Sequence, residues 1–224
     1  MSLILSIDTA TEFASVCLAD DENILALEEN FEQKNHAAFL QPAIQKIFSL
    51  TKIEIKNINA VAVTIGPGSY TGLRVGLASA KGLSYALNKN LIVVNTLQAM
   101  ALASIEENKN EKILHCPMID ARRMEVFTAL YNFYLKEIIA PAACIIDENF
   151  LQDELNKNKI IFSGSGSKKL KDIMSNANAI FTNKIYNATH VSQLAFNLFK
   201  QQLFADVAYC QPLYLKEFYT PIKK

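Results

Sequence analysis

The sequence has no excess of charge of either sign: 22 lysines and arginines balance 22 aspartates and glutamates. A protein that grips nucleic acid by itself normally shows a basic excess, because each neutralised phosphate releases counterions. Strong autonomous nucleic-acid binding is therefore not expected. No two of the four cysteines (Cys17, Cys116, Cys144, Cys210) form a Cys-x-x-Cys pair. Buried thiols in a reducing compartment are their simplest reading. No apolar run approaches the ~20 residues of a membrane span. The opening Met-Ser-Leu-Ile-Leu-Ser-Ile-Asp lacks a basic n-region and meets a carboxylate at Asp8, so it does not read as a signal peptide. A cytoplasmic protein with no membrane partner is expected. His36, His115 and His190 share no metal-ligand spacing, and no Ser-His-Asp or Cys-His arrangement can be assigned. His36 and His190 read as surface or capping residues and His115 as a core histidine. Neither a catalytic set nor a metal site is assigned.

What is present centres on residues 61–87. A β-branched run ends at Gly66-Pro67-Gly68, a turn through which no strand continues. Ser69 or Thr71 then caps a helix to about Leu87. Gly72, Gly76, Ala80 and Ser84 recur at steps of four along it, with Ala78, Gly82 and Ala86 beside them. Each glycine inside a helix costs about 1 kcal/mol against alanine, so close approach of another backbone is implied. That backbone belongs either to the chain's own lobe or to another protein, and spacing alone leaves both open.

Along the chain, residues 3–7, 14–19 and 24–29 read as strands. A helix with an apolar stripe (Phe39, Leu40, Ala43, Ile44, Ile47, Phe48) starts after Asn35, with Pro42 as a kink or a later start. The strand 61–65, the glycine helix, a strand at 91–94 and a helix from Thr96 follow. The same order then recurs. Strands at 114–119, 124–131 and 134–139 precede a helix from Asp147 to about Asn156 and a strand at 160–162. The turn Gly164-Ser165-Gly166 and a helix over 167–174 complete the second set. A last helix is expected at 189–204, with Pro212-Leu213-Tyr214-Leu215 tied back onto the body. The predicted fold is α/β, two ribonuclease-H-like lobes of the actin/Hsp70/sugar-kinase type from an internal duplication. Residues 1–105 and 106–224 form the lobes, and the terminal segment packs on the first.

In such a fold the first hairpin and the glycine turns can hold phosphates on backbone N–H groups. Asp8, Thr9, Thr11, Gly164 and Gly166 are the candidate nucleotide-site residues. Thr9-Ala10 stands where close backbone approach favours glycine, and Gly66-Pro67-Gly68 lacks a Gly-Lys-Ser/Thr ending. The site therefore reads as vestigial, with room for weak ATP or ADP binding and no required cofactor. Arg122-Arg123 beside Asp120 and Glu125 reads as a solvated hairpin cluster, and Lys168, Lys169 and Lys171 as the wet face of a helix.

The opening Ile-Leu-Ser-Ile-Asp-Thr-Ala-Thr, Asn35-His36 with Leu40 and Pro42, the stretch from Gly66 to Leu83, Asp120-Ala-Arg-Arg-Met-Glu-Val-Phe and the Pro-Leu-Tyr-Leu-Lys tail together resemble the TsaB (YeaZ) family of bacterial tRNA threonylcarbamoyladenosine synthesis. The resemblance implies an actin-like fold and a noncatalytic subunit that binds TsaD, the transferase acting on adenosine 37 of tRNAs that read codons beginning with A. It implies TsaE and tRNA as partners only within the assembled complex, and a homodimer when the chain is alone. TsaD carries His-x-x-x-His where this sequence has Thr96 and Met100, a hydroxyl and a thioether. The implied partner interface comprises His36, Phe39, Leu40, Ala43, Tyr70, Gly72, Leu73, Val75, Gly76, Ser79 and Ala80. The alternative is an enzyme of the same fold, an ATP-dependent small-molecule kinase or a metallopeptidase.

Overall fold

The computed structural model describes residues 2–32 and 35–216. The last eight positions of the expected second lobe, 217–224, lie outside the described residues. Two five-stranded sheets carry the chain. In the first, the buried apolar strand β1 (Leu3–Asp8) pairs antiparallel with β2 (Ala14–Asp20), which pairs with β3 (Asn23–Asn30). On its other side β1 pairs in parallel with β4 (Ala60–Gly66), followed by β5 (Asn90–Asn95). The second sheet repeats this order around β6 (Leu114–Asp120). Antiparallel β7 (Glu125–Tyr131) and β8 (Glu137–Ile145) lie to one side, and parallel β9 (Ile160–Ser163) and β10 (Ala179–Phe181) to the other. The shared strand order is the structural form of the internal repeat.

Each parallel step needs a crossover. Helix α1 (His36–Thr51) joins β3 to β4 and continues through Pro42 without a break. Helix α2 (Tyr70–Leu87) joins β4 to β5. Its cap is Ser69, whose Oγ accepts from the Gly72 N–H at 3.2 Å. Helix α3 (Thr96–Glu107) is capped by Asn95, whose side chain accepts from Leu97 N and Gln98 N.

The second lobe departs from its expected detail. Its third strand lies at Glu137–Ile145 rather than 134–139, because Asn132 and Leu135 close a turn with Lys136. Only α4 (Gln152–Leu155) and α5 (Ser167–Lys171) form in the two predicted helical spans. The last helix, α6 (Ala188–Lys200), ends four residues early.

One apolar core joins the lobes. α3 packs on β6, β7 and β9 of the second sheet, while α6 packs on β1, β2, β4 and β5 of the first. Leu97 and Met100 of α3 meet Val191, Leu194 and Ala195 of α6 between the sheets. Beyond α6 the chain runs back along the first lobe. Ala205 N–H donates to Leu91 O, Lys81 Nζ reaches the carbonyls of Ala208 and Cys210, and Leu213 N–H donates to Ile65 O at 2.7 Å. At that point a Cβ on Gly66 would sit 2.6 Å from Leu213 O. No helix among the described residues is long and apolar enough to cross a membrane.

Candidate functional site

The cleft between the lobes is where a duplicated α/β fold of this type would do chemistry. Asp8 ends β1 beneath it, but its carboxylate is 2% exposed and already engaged. Its Oδ1 accepts from Thr64 Oγ1 at 2.6 Å, Ala10 N at 3.1 Å and Tyr186 OH at 3.2 Å. Burial raises its pKa, opposed by these three donors and by His36 nearby. Tyr186, which no sequence signal tied to Asp8, closes this pocket from a point 178 residues away.

Three backbone donors of the glycine turns are similarly engaged. Ser69 N donates to Ala10 O, Gly166 N to Met118 O and Ser167 N to Gly164 O. Of the five candidate nucleotide-site residues, Thr11 and Gly164 line a cleft cavity of about 420 Å³ together with Lys168 and Ser163. Asp8 and Thr9 are buried beside it, and Gly166 packs on Val126 and Met118. Thr9 Oγ1 donates to Gly72 O at 2.7 Å, so this hydroxyl serves packing of the lobe.

The second candidate site is the face of α1 and α2, and here the expectation needs correction. A Cβ on Gly72 would meet Thr9 O at 2.1 Å, and one on Gly76 would meet Thr9 Oγ1 at 2.3 Å. These glycines exist so that α2 can lie on the chain's own β1–β2 turn. Leu73 and Ala80 are equally sealed, both 0% exposed, and from α1 His36, Leu40 and Ala43 also turn inward. The His36 Nε2–H donates to Thr11 O at 2.8 Å, which makes it a core contact rather than a surface one. Phe39, Tyr70, Val75 and Ser79 do reach the surface in part.

The exposed ridge of α2 is instead Thr71, Ala78, Gly82 and Ala86, and Gly82 has open space where a Cβ would stand. Beside it, a groove of about 620 Å³ runs between α1 and α2, lined by Gln41, Pro42, Gln45, Phe48 and Leu83. The sequence showed small residues on both faces of α2. It carried no signal for which face turned inward.

The family model of TsaD, tRNA N6-adenosine threonylcarbamoyltransferase, matches residues 30–222. The tRNA threonylcarbamoyladenosine biosynthesis protein TsaB of Buchnera aphidicola subsp. Schizaphis graminum is 31% identical over 173 residues, 75% of this chain and 81% of that protein. The chain belongs to the TsaB family. TsaB of Bacillus subtilis (strain 168) is 28% identical over 220 residues, covering 95% of this chain and 93% of its own length. Among solved structures, YeaZ from Pseudomonas aeruginosa superposes with a TM-score of 0.83 at 21% identity, over 96% of this chain and 100% of that one. The polyphosphate/ATP-glucomannokinase of an Arthrobacter species (strain KM) gives 0.50 at 11% identity over 90% and 100%. These likenesses fix the fold as the actin-like, sugar-kinase type.

In this TsaB-family chain the two expected metal-ligand positions of the transferase are Thr96 and Met100, one turn apart on α3 and both buried. Met100 Cε comes against Gly164, where a Cβ would lie 2.2 Å from it. A hydroxyl and a thioether do not suit the hard or borderline cations that two imidazoles would hold. The residues present do not fit that metal.

Proposed function

We propose that this chain is a noncatalytic subunit of tRNA threonylcarbamoyladenosine synthesis that docks TsaD through the exposed faces of α1 and α2. The observation that carries the reading is Gly82. A glycine in a helix interior costs about 1 kcal/mol against alanine, and at Gly72 and Gly76 the chain's own backbone accounts for it. At Gly82 nothing among the described residues does. A foreign helix crossing over Ala78, Gly82 and Ala86, with side chains entering the groove beside Phe48 and Leu83, would offset that cost. A specific interface of this kind would bury about 800 Å² per side. The same face would serve a second copy of the chain when TsaD is absent, and TsaE and tRNA would join the assembled complex.

The engaged Ser69, Gly166 and Ser167 N–H groups and the closed Asp8 pocket support a body without nucleotide turnover, and weak ATP or ADP binding in the 420 Å³ cavity is compatible with it. The test is Gly82→Arg. Its side chain projects into open space, so the melting temperature is expected to stay close to that of the wild type while co-purification with TsaD is lost. Retained co-purification by this variant would sink the proposal. Titration calorimetry with ATP-Mg separates the rival kinase reading, which requires tight binding and turnover.

A further inference from the structure

The chain has three arginines against nineteen lysines, and all three belong to the two elements that face each other across one groove, which Arg122 lines. Arg74 projects from the second turn of α2, exposed. Arg122 and Arg123 form the exposed tip of the β6–β7 turn, both with left-handed backbone (φ 70° and 49°). A groove of about 800 Å³ lies between these elements, with Ser69, Tyr70 and Thr71 on one wall and Asp120, Arg122 and Ser165 on the other. The C-terminal segment bridges the rim. The Arg74 guanidinium sits 4.0 Å from the centre of the Tyr70 ring and donates through Nε to Tyr214 OH at 3.2 Å. Tyr214, 41% exposed, packs on Tyr70 with ring centroids 5.4 Å apart. Two residues on, Lys216 pairs with Glu125, while Lys169 pairs with Asp120. Lysines thus pair with Asp120 and Glu125, Glu12 also lines the groove, and the three arginines leave this face with a surplus of positive charge.

That division of labour points to a ligand. A guanidinium presents a planar fork that matches phosphate oxygens two at a time, and it stacks on aromatic rings; an ammonium offers only a point charge. Arginines set beside stacked tyrosines suit an RNA strand, with phosphates on the forks and an unpaired base on the phenol face. We propose that this rim is an RNA-contacting surface, in which Arg122 and Arg123 hold backbone phosphates and the Tyr70–Arg74–Tyr214 stack receives a base. The inference rests on the docking reading above in one respect: a chain of zero net charge adds local contacts to an affinity supplied by the complex.

The experiment assembles TsaD with wild-type chain, with Arg122→Glu/Arg123→Glu and with Arg122→Lys/Arg123→Lys. It then measures tRNA binding from 50 to 200 mM salt. Charge reversal is expected to weaken binding about tenfold and to lower the slope of log K against log salt by about 1–2, with co-purification unchanged. The lysine variant should keep the slope and lose part of the affinity. Unchanged affinity and slope in a complex that assembles would overturn the proposal. If the wild-type chain itself does not assemble with TsaD, the docking reading fails instead. The rim is then judged by ultraviolet cross-linking of the chain alone to single-stranded RNA, where adducts at Tyr214 support it and their absence refutes it.

Discussion

Two buried ionisable side chains carry opposite pH signatures. Burial raises the pKa of Asp8, so its contribution to stability is present at low pH and lost as pH rises through its folded value. Burial pushes His115 down, from 6.5 to about 4. Its ring is 0% exposed, and its Nδ1 meets Ser104 Oγ at 2.7 Å. The folded state therefore keeps it neutral. Its contribution is fully present above pH 6.5 and is lost as pH falls towards 4. Over that interval the unfolded chain binds the extra proton, which at pH 5 amounts to about 2 kcal/mol. Asp8 and the buried His190 titrate as well, so the test is a difference of differences. Urea unfolding at pH 7 and pH 5 should show wild type losing about 2 kcal/mol more than His115→Gln, which keeps a polar group near Ser104 and cannot titrate. Equal losses would show that His115 protonates freely in the folded chain. At this scale the sequence was half legible. His115 lies within a strand and reads as core, whereas the lid on Asp8 is a tyrosine from the far end of the chain.

Helix α2 poses the same question twice on opposite faces. At Gly76 an added methyl meets Thr9 Oγ1 at 2.3 Å, and at Gly82 it meets nothing within 4 Å. Gly76→Ala must push the helix off the β1–β2 turn and is expected to destabilise by about 2–3 kcal/mol. Gly82→Ala removes an exposed helix-interior glycine and is expected to stabilise by up to about 1 kcal/mol. Thermal melts of the two variants should therefore move in opposite directions, and a shift of the same sign in both would refute the assignment of faces.

Most elements of the first lobe were legible because strong cues agree: an apolar run in β1, a β-branched run in β4, Ser69 as a cap, and Gly66-Pro67-Gly68 as a stop. The facing of α2 was not. Its small residues span Gly72, Gly76 and Ala80 inside and Ala78, Gly82 and Ala86 outside, so a four-residue period fits either edge. β10 escaped notice because three residues, Ala179–Phe181, give no measurable alternation. Asp147 accepts from the Asn149 N–H in a turn instead of capping a helix, and α4 starts only after Leu151, whose backbone is left-handed.

At the scale of the molecule, the two sheets repeat one strand order, and each is packed by a helix from the other repeat. The expected boundary at residue 105 follows the repeat in the sequence, but the packing crosses it. The face of the first sheet that carries Ile4, Ala62 and Ile92 is covered by α6, which comes from residues 188–200. α3, from the first repeat, covers β6, β7 and β9 of the second. Cutting the chain at 105 strips α6 from one face of the first sheet and parts α3 from β6, β7 and β9, while α3 keeps its packing on β4 and β5. At about 25 cal/mol per Å² of apolar surface, loss of one such helix face outweighs the small margin by which domains of this size are stable. The fragment 1–105 is thus expected to melt without a cooperative transition and to bind a hydrophobic dye. Appending residues 186–216 through a flexible linker should restore a cooperative melt, since that segment supplies α6, the Ala205–Leu91 bridge and the Leu213–Ile65 bond together. A cooperative melt from 1–105 by itself would mean that the exchange of α3 and α6 is decoration on two independent lobes. Restoration by the appended segment would locate the joint between the repeats in that exchange.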